Sequence, residues 1–352
     1  MTSGGSPVVT KPPAVEPLRH GSSEPLLTQF DAALLDLDGV LYVGPHAVPG
    51  APEAVAEARA AGMRVAFVTN NASRTPETVA AHLTALGIAA EPRDVVTSAQ
   101  AAATIVAAAV PPGAAVLVVG GDGLDAALVE RGLRPVRTLA DQPAAVVQGF
   151  SPDVGWRLLA EGTYAVRAGL PWFASNLDVT VPTEQGLAPG NGALVGVITA
   201  ATGKRPVAAG KPETPLHQEA VQRTGARHPL VVGDRLDTDI EGANRAGVAS
   251  LLVFTGVTTA TELLLAEPHL RPTYLSLDVR TGLAQPHPPV AGAPFEGFSC
   301  GGWLCTADDG RLRVSGAGAP LDGLRAACVA AWAAAIPPEA GNVRDVLHSL
   351  GF

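Results

Sequence analysis

Cysteine is scarce in this 352-residue chain: Cys300, Cys305 and Cys328 are all there is, and all lie towards its C-terminal end. Three thiols so placed cannot build a disulfide framework, and the Cys-x4-Cys spacing is not that of a zinc ribbon. The expectation is a protein of the reducing cytoplasm. Long apolar runs are also missing, because glycine, proline or charge interrupts every alanine-rich stretch, and no membrane-spanning helix is expected. The polar, proline-rich opening segment has no apolar signal-peptide core. Basic excess is absent too: 24 Lys and Arg stand against 33 Asp and Glu, a net charge of −9. That balance disfavours a general grip on nucleic acid through phosphate neutralisation.

What the chain does have is apolar content. Hydrophobic residues make up 47% and charged residues 16%, which supports a sizeable core and excludes disordered, coiled-coil and collagen-like classes. The length suits two domains. Residues 1–29 read as a disordered leader. A strand–turn–helix rhythm follows, with apolar strands at 32–35 and 64–68 and helices over 49–61 and from Pro76 to a stop at Gly87. It resumes with a strand at 229–232 and a helix at 239–246. Near-continuously apolar strands alternating with amphipathic helices argue for a doubly wound parallel sheet, an α/β fold. The middle, 99–204, has its own alternation, with strands at 116–119, 145–148 and 172–174 and a Gly/Pro-rich loop at 182–192. It reads as a second α/β domain inserted into a core made of 30–98 and 205–285. The tail, 292–352, reads as two short strands (301–307, 311–315) and one helix (321–335), too small to stand alone and expected to dock on the rest.

The chemistry gathers at strand ends. Asp36-Leu37-Asp38-Gly39 closes the first strand, where open parallel sheets bind ligands. Side chains alternate along a strand, so Asp36 and Asp38 can face one crevice, and a Mg2+ ion would relieve the repulsion between them. A plain strand-ending turn uses the same residue types. Thr69 ends the second strand, where its hydroxyl could hold phosphoryl oxygens or cap the following helix. Lys211, in Gly-Lys-Pro, could neutralise phosphate or stand solvated. Gly233 to Asp239 offers Asp234, Asp237 and Asp239 at a strand–helix junction; capping by Asp237 explains one of them but not the whole cluster. Val118 to Gly123 lacks the G-x-G-x-x-G spacing and reads as a plain turn, and Gly203-Lys204-Arg205 is not a P-loop. His46 reads as a loop residue, and His217 and His228 receive no role.

Taken in order, Asp36–Gly39, Thr69-Asn70-Asn71, Gly210-Lys211-Pro212 and Gly233–Asp239 resemble the motifs of the haloacid dehalogenase (HAD) superfamily of phosphohydrolases. The likeness extends over about 30–257 to subfamily IIA, the p-nitrophenyl-phosphatase-like group, whose C2-type cap lies between the second and third motifs. Residues 95–100 and 133–137 are similar to actinobacterial glycerol-3-phosphate phosphatases. The resemblance implies a Rossmann-like HAD core with an inserted α/β C2-type cap; it leaves the small α+β tail unexplained. It implies that Asp36 is the nucleophile and Asp38 the general acid and base. It further implies that Mg2+ is held by Asp36, the main-chain carbonyl of Asp38 and Asp234, with Asp239 supporting from outside. Thr69, Asn70 and Lys211 would bind the transferring group.

The cap loop carrying Asn176, Asp178 and Val181 is the expected specificity element. Related vitamin-B6-phosphate phosphatases carry a histidine where Val181 aligns, so an aromatic substrate would lose a partner. The expected partner is a small phosphorylated metabolite, glycerol 3-phosphate first and phosphoglycolate second, with no nucleic acid and no membrane. A homo-oligomer would form through the cap or the tail. A phosphotransferase and a non-catalytic binding protein are the competing readings.

Overall fold

The computed structural model describes residues 16–183, 185–293, 296–336 and 342–352. They divide into two compact units, one running to Val65 and resuming at Thr224–Phe352, the other Ala66–Arg223. No helix among the described residues is long and apolar enough to cross a membrane.

In the first unit, parallel strands run in the order Tyr274–Ser276, Ala249–Val253, Pro229–Gly233, Ala32–Leu35. Leu35 lies level with Val232, so Asp36 and Asp234 leave the carboxyl ends of neighbouring strands. All four residues of Ala32–Leu35 are buried, as a strand covered on both faces requires.

The tail is larger than the sequence suggested. It is a four-stranded antiparallel sheet, Ala291–Ala293, Gly297–Cys300, Trp303–Asp308 and Arg311–Gly316. The helices Pro320–Ala333 and Val343–Leu350 accompany it. Its Leu312, Leu324, Leu347 and Leu350 share one core with Leu236, Ile240, Leu252, Leu263 and Leu275 of the phosphohydrolase-like part. Each fully buried leucine contributes roughly 1.5–3 kcal/mol, so cutting the tail away would uncover much of the core beneath it. Cys300, Cys305 and Cys328 are free and buried in this core. Burial pushes the Cys300 thiol up to about 11 and the Cys305 thiol up to about 12, which keeps both protonated and unreactive.

Part of the segment read as a disordered leader is ordered. Leu18 and Leu26 are buried, Ser22 exchanges main-chain hydrogen bonds with His287, and the Arg19 guanidinium lies 5.4 Å from the centre of the Phe298 ring. Two apolar side chains in a polar stretch are enough to pin it, a signal too sparse to stand out in composition.

In the second unit a five-stranded sheet runs in the order Val207–Ala208, Trp172–Ala174, Ala145–Gln148, Ala115–Val119, Arg134–Val136, every pair parallel. This is the order of a doubly wound sheet whose switch point lies between Ala115–Val119 and Ala145–Gln148. A Cβ on Gly123 would stand 2.2 Å from the Ala72 carbonyl oxygen, so the Gly-rich turn of 120–123 packs against the 72–74 loop. The stretch at 182–192 read as a loop is an antiparallel hairpin, Thr180–Thr183 against Gly186–Pro189, leading into the helix Asn191–Thr202.

Candidate active site

Asp36, Asp234 and Asp239 each bring one carboxylate oxygen to within 4.8 Å of the others. Asp234 and Asp239 are buried and Asp36 is half-buried. Asp239 reaches the group from the π-helical turn Leu236–Ile240, where the Arg235 N–H donates to its Oδ2 at 3.2 Å. Asp237, on the same turn, is 64% exposed and paired with Arg235 at 2.8 Å. It therefore belongs to the surface, and Asp239 is the inward carboxylate. Asp38 stands apart from the cluster: its side chain is exposed and accepts the Tyr42 O–H at 3.3 Å. Leu37, between the two aspartates, is 1% exposed, so the alternation read from sequence does direct Asp36 and Asp38 away from the core.

Close packing holds the acidic group. The Val257 N–H donates to Asp234 Oδ2 at 2.7 Å. A Cβ on Gly39, whose φ is +86°, would come within 2.5 Å of the same oxygen. The Thr255 hydroxyl donates to the Gly39 carbonyl at 2.5 Å. Nothing in the sequence pointed to Thr255, Gly256 and Val257, which lack charge and act mainly through their backbone. Three carboxylate oxygens this close repel one another unless a cation lies among them. An all-oxygen donor set suits Mg2+.

In the second unit, Thr69 is buried at the end of Arg64–Thr69, and its hydroxyl oxygen accepts the Asn71 N–H at 3.1 Å. It does not cap the next helix; Thr75 occupies that position. Asn70 is the centre of a knot. Its Nδ2 donates to the Asp178 carboxylate at 3.2 Å and to the Lys211 carbonyl at 3.0 Å, and its Oδ1 accepts the Lys211 N–H at 2.8 Å. Its carbonyl accepts from Ser98 Oγ at 2.6 Å and from Asn176 Nδ2 at 2.7 Å. The amide of Asn70 thus organises Lys211 and the Asn176–Asp178 loop. Lys211 is 5% exposed, with Nζ 3.4 Å from the Val68 carbonyl. Val181 lies on the hairpin opposite Ala188, in a neighbourhood whose Leu177, Val179 and Leu187 are exposed. His46 is exposed, but it lies in the short strand His46–Ala47, paired with Tyr42–Val43, and not in a loop.

His217 is 1% exposed, and neither ring nitrogen has a hydrogen-bond partner among the described residues. Burial, then the nearby Lys211 charge, lowers its pKa from 6.5 to about 3. Between those values the unfolded chain binds a proton that the folded chain refuses, so stability falls as pH drops through that window. Above 6.5 this residue contributes no pH dependence. Replacing His217 with Leu is expected to remove up to about 1.4 kcal/mol per pH unit of that slope. Thermal unfolding of both proteins at pH 4 and pH 7 measures it.

A family model described as haloacid dehalogenase-like hydrolase matches residues 33–134, and a HAD-hydrolase-like model matches 208–281. Over 270 residues the chain is 48% identical to the D-glycerol 3-phosphate phosphatase of Mycobacterium tuberculosis, spanning 77% of this chain and 75% of that one. The chain belongs to the haloacid dehalogenase-like hydrolases. This HAD hydrolase is also 37% identical to the acid sugar phosphatase of Staphylococcus aureus, over 74% of its own length and 99% of the relative's. The solved glycerol phosphate phosphatase of M. tuberculosis in complex with magnesium superposes with a TM-score of 0.84 at 44% identity, covering 93% of this chain and 99% of that one. A thermostable NPPase from Geobacillus stearothermophilus superposes at 0.66 with 34% identity, over 72% and 98%. Residues 300–352 match a separate model, described as a GCN5-related N-acetyltransferase-like domain.

Proposed function

We propose that this HAD hydrolase is a Mg2+-dependent phosphatase of small phosphate monoesters, with glycerol 3-phosphate its preferred substrate. The observation that carries the reading is the convergence of Asp36, Asp234 and Asp239 beyond the carboxyl ends of parallel strands. Asp36, the main-chain carbonyl of Asp38 and Asp234 would hold the ion, with Asp239 beside them. Bound there, Mg2+ supplies positive charge that offsets both the carboxylates and the phosphate dianion.

The chain's own groups carry the remaining steps. An Asp36 carboxylate oxygen attacks phosphorus as the bond to the leaving oxygen breaks, and Asp38 gives that oxygen its proton. Water then attacks phosphorus of the aspartyl-phosphate and gives a proton to Asp38 as the bond from the Asp36 oxygen to phosphorus breaks, and inorganic phosphate leaves. Asp38 suits this work because it is the exposed carboxylate of the pair, with its proton exchange open to solvent. Lys211 and the Thr69 hydroxyl bind the transferring oxygens, and Asn70 holds the Lys211 main chain in place.

The glycerol phosphate preference draws on the 48% identical relative and on the aliphatic surroundings of Val181. A panel of glycerol 3-phosphate, phosphoglycolate, pyridoxal phosphate and a nucleotide, with Mg2+ and with chelator, tests it. The expected order of kcat/KM is glycerol 3-phosphate, then phosphoglycolate, with no turnover in chelator. A wide preference for pyridoxal phosphate overturns the Val181 argument, and failure to release phosphate from every ester overturns the phosphatase reading.

A further inference from the structure

One route from the C-terminal region to the acidic cluster runs through the loop that follows the strand Ala249–Val253. Phe254 follows the strand Ala249–Val253 and opens the turn 255–258, which wraps Asp234. Val257 N–H donates to the Asp234 carboxylate and Thr258 N–H donates to the Asp234 carbonyl, the latter at 3.1 Å. Behind the turn, the half-buried Phe254 ring packs on the core shared with the tail. Its centre lies 6.1 Å from that of the Phe352 ring, the planes tilted by 57°. Phe352 is itself anchored, its N–H donating to the Leu347 carbonyl at 3.0 Å at the end of Val343–Leu350. The tail also grips the adjoining strand: buried Arg325 donates from Nη2 to the Leu275 carbonyl at 2.6 Å. Phe254 N–H donates to the Leu277 carbonyl at 3.2 Å.

We propose that the C-terminal region is a positioning element of the cation site: Phe352, packed on Phe254, fixes the loop that orients Asp234 and so sets the affinity for Mg2+. This rests on the metal-dependent reading given above. Groups that orient a metal ligand from one layer out typically change affinity by 10- to 100-fold when removed. Phe352 acts one layer further out, through an aromatic contact that loses its packing without unmaking either hydrogen bond to Asp234. Its effect is accordingly smaller, and it falls on affinity before it falls on chemistry.

The test uses the full chain carrying Phe352→Ala, beside Leu304→Ala as a control on a 41% exposed tail residue. Mg2+ binding is read by calorimetry and by the rise in unfolding temperature that Mg2+ produces. Phe352→Ala is expected to weaken Mg2+ binding about threefold to tenfold, with kcat at saturating Mg2+ and KM for the ester near wild type. Phe352→Tyr is expected to restore the affinity, and Leu304→Ala to leave it unchanged. Wild-type affinity in Phe352→Ala overturns the proposal while leaving the phosphatase reading intact. A wild-type protein that binds no Mg2+ overturns that reading first, and the two failures are told apart by the wild-type titration alone.

Discussion

Asp36→Asn is expected to abolish phosphate release, by roughly 10³-fold or more, without loss of fold. Asparagine keeps the shape of the side chain and replaces the attacking carboxylate oxygen with an amide that is a poor nucleophile. Asp36 holds its place through its main-chain N–H, which donates to the Val232 carbonyl at 2.9 Å, and the substitution leaves that bond alone. Electrostatics bears on the cation as well. Asp36, Asp234 and Asp239 crowd their carboxylate oxygens within 4.8 Å, and removing one like charge relieves the repulsion. The variant also offers a cation one carboxylate fewer, so the stabilisation that Mg2+ adds should shrink. Phosphate release from glycerol 3-phosphate and thermal unfolding with and without Mg2+ measure both halves. Unchanged turnover would remove Asp36 from the mechanism.

The acidic half of the site was legible because two rules of elementary structure converge on it. Apolar runs such as Ala32–Leu35 and Pro229–Gly233 announce buried parallel strands, and ligands gather beyond the carboxyl ends of such strands. Asp36 and Asp234 are the residues that emerge there. Choosing Asp239 over Asp237 as the inward carboxylate was not legible from pattern alone. It depends on the turn Leu236–Ile240 and on Arg235 holding Asp237 at the surface. Thr255 to Val257 escaped notice because what they give is a backbone N–H, a small hydroxyl and an absent Cβ, none of which a local motif marks.

The resemblance implies that Asn70 binds the transferring group. Its amide also meets Asp178 and Lys211, which stand more than a hundred positions away. Such a pairing is written into the fold and leaves no trace in local spacing. The hairpin at 180–189 was hidden by its prolines. Pro182 and Pro189 lack an N–H, and in sequence they argue against a strand that an isolated two-stranded ribbon accommodates. The tail was opaque for a different reason: its helices and strands complete a core that they do not own, so its own pattern looked too small to fold.

Gly256→Ala tests whether packing around Asp234 matters as much as the charges do. A Cβ at that position would lie 2.0 Å from Asp234 Oδ2 and 2.9 Å from Asp234 Cβ. Neither contact is survivable without movement, and Asp234 has little room to give: it is fully buried, and Val257, the next residue along, holds the same oxygen. The methyl group therefore drives the carboxylate away from Asp36 and Asp239, or drags the loop outward with Val257. Either way the cluster loses its convergence, and Mg2+ affinity is expected to fall about 10- to 100-fold. Turnover at moderate Mg2+ should fall in parallel. Overpacking also costs stability, about 1–3 kcal/mol. Gly196→Ala supplies the contrast, since its Cβ would meet nothing within 4 Å in the interior of the helix Asn191–Thr202. Helix propensity there predicts a gain of up to about 1 kcal/mol and full activity. If the two variants bind Mg2+ equally well, the cradle around Asp234 is looser than its contacts imply, and orientation of that carboxylate does not limit metal binding.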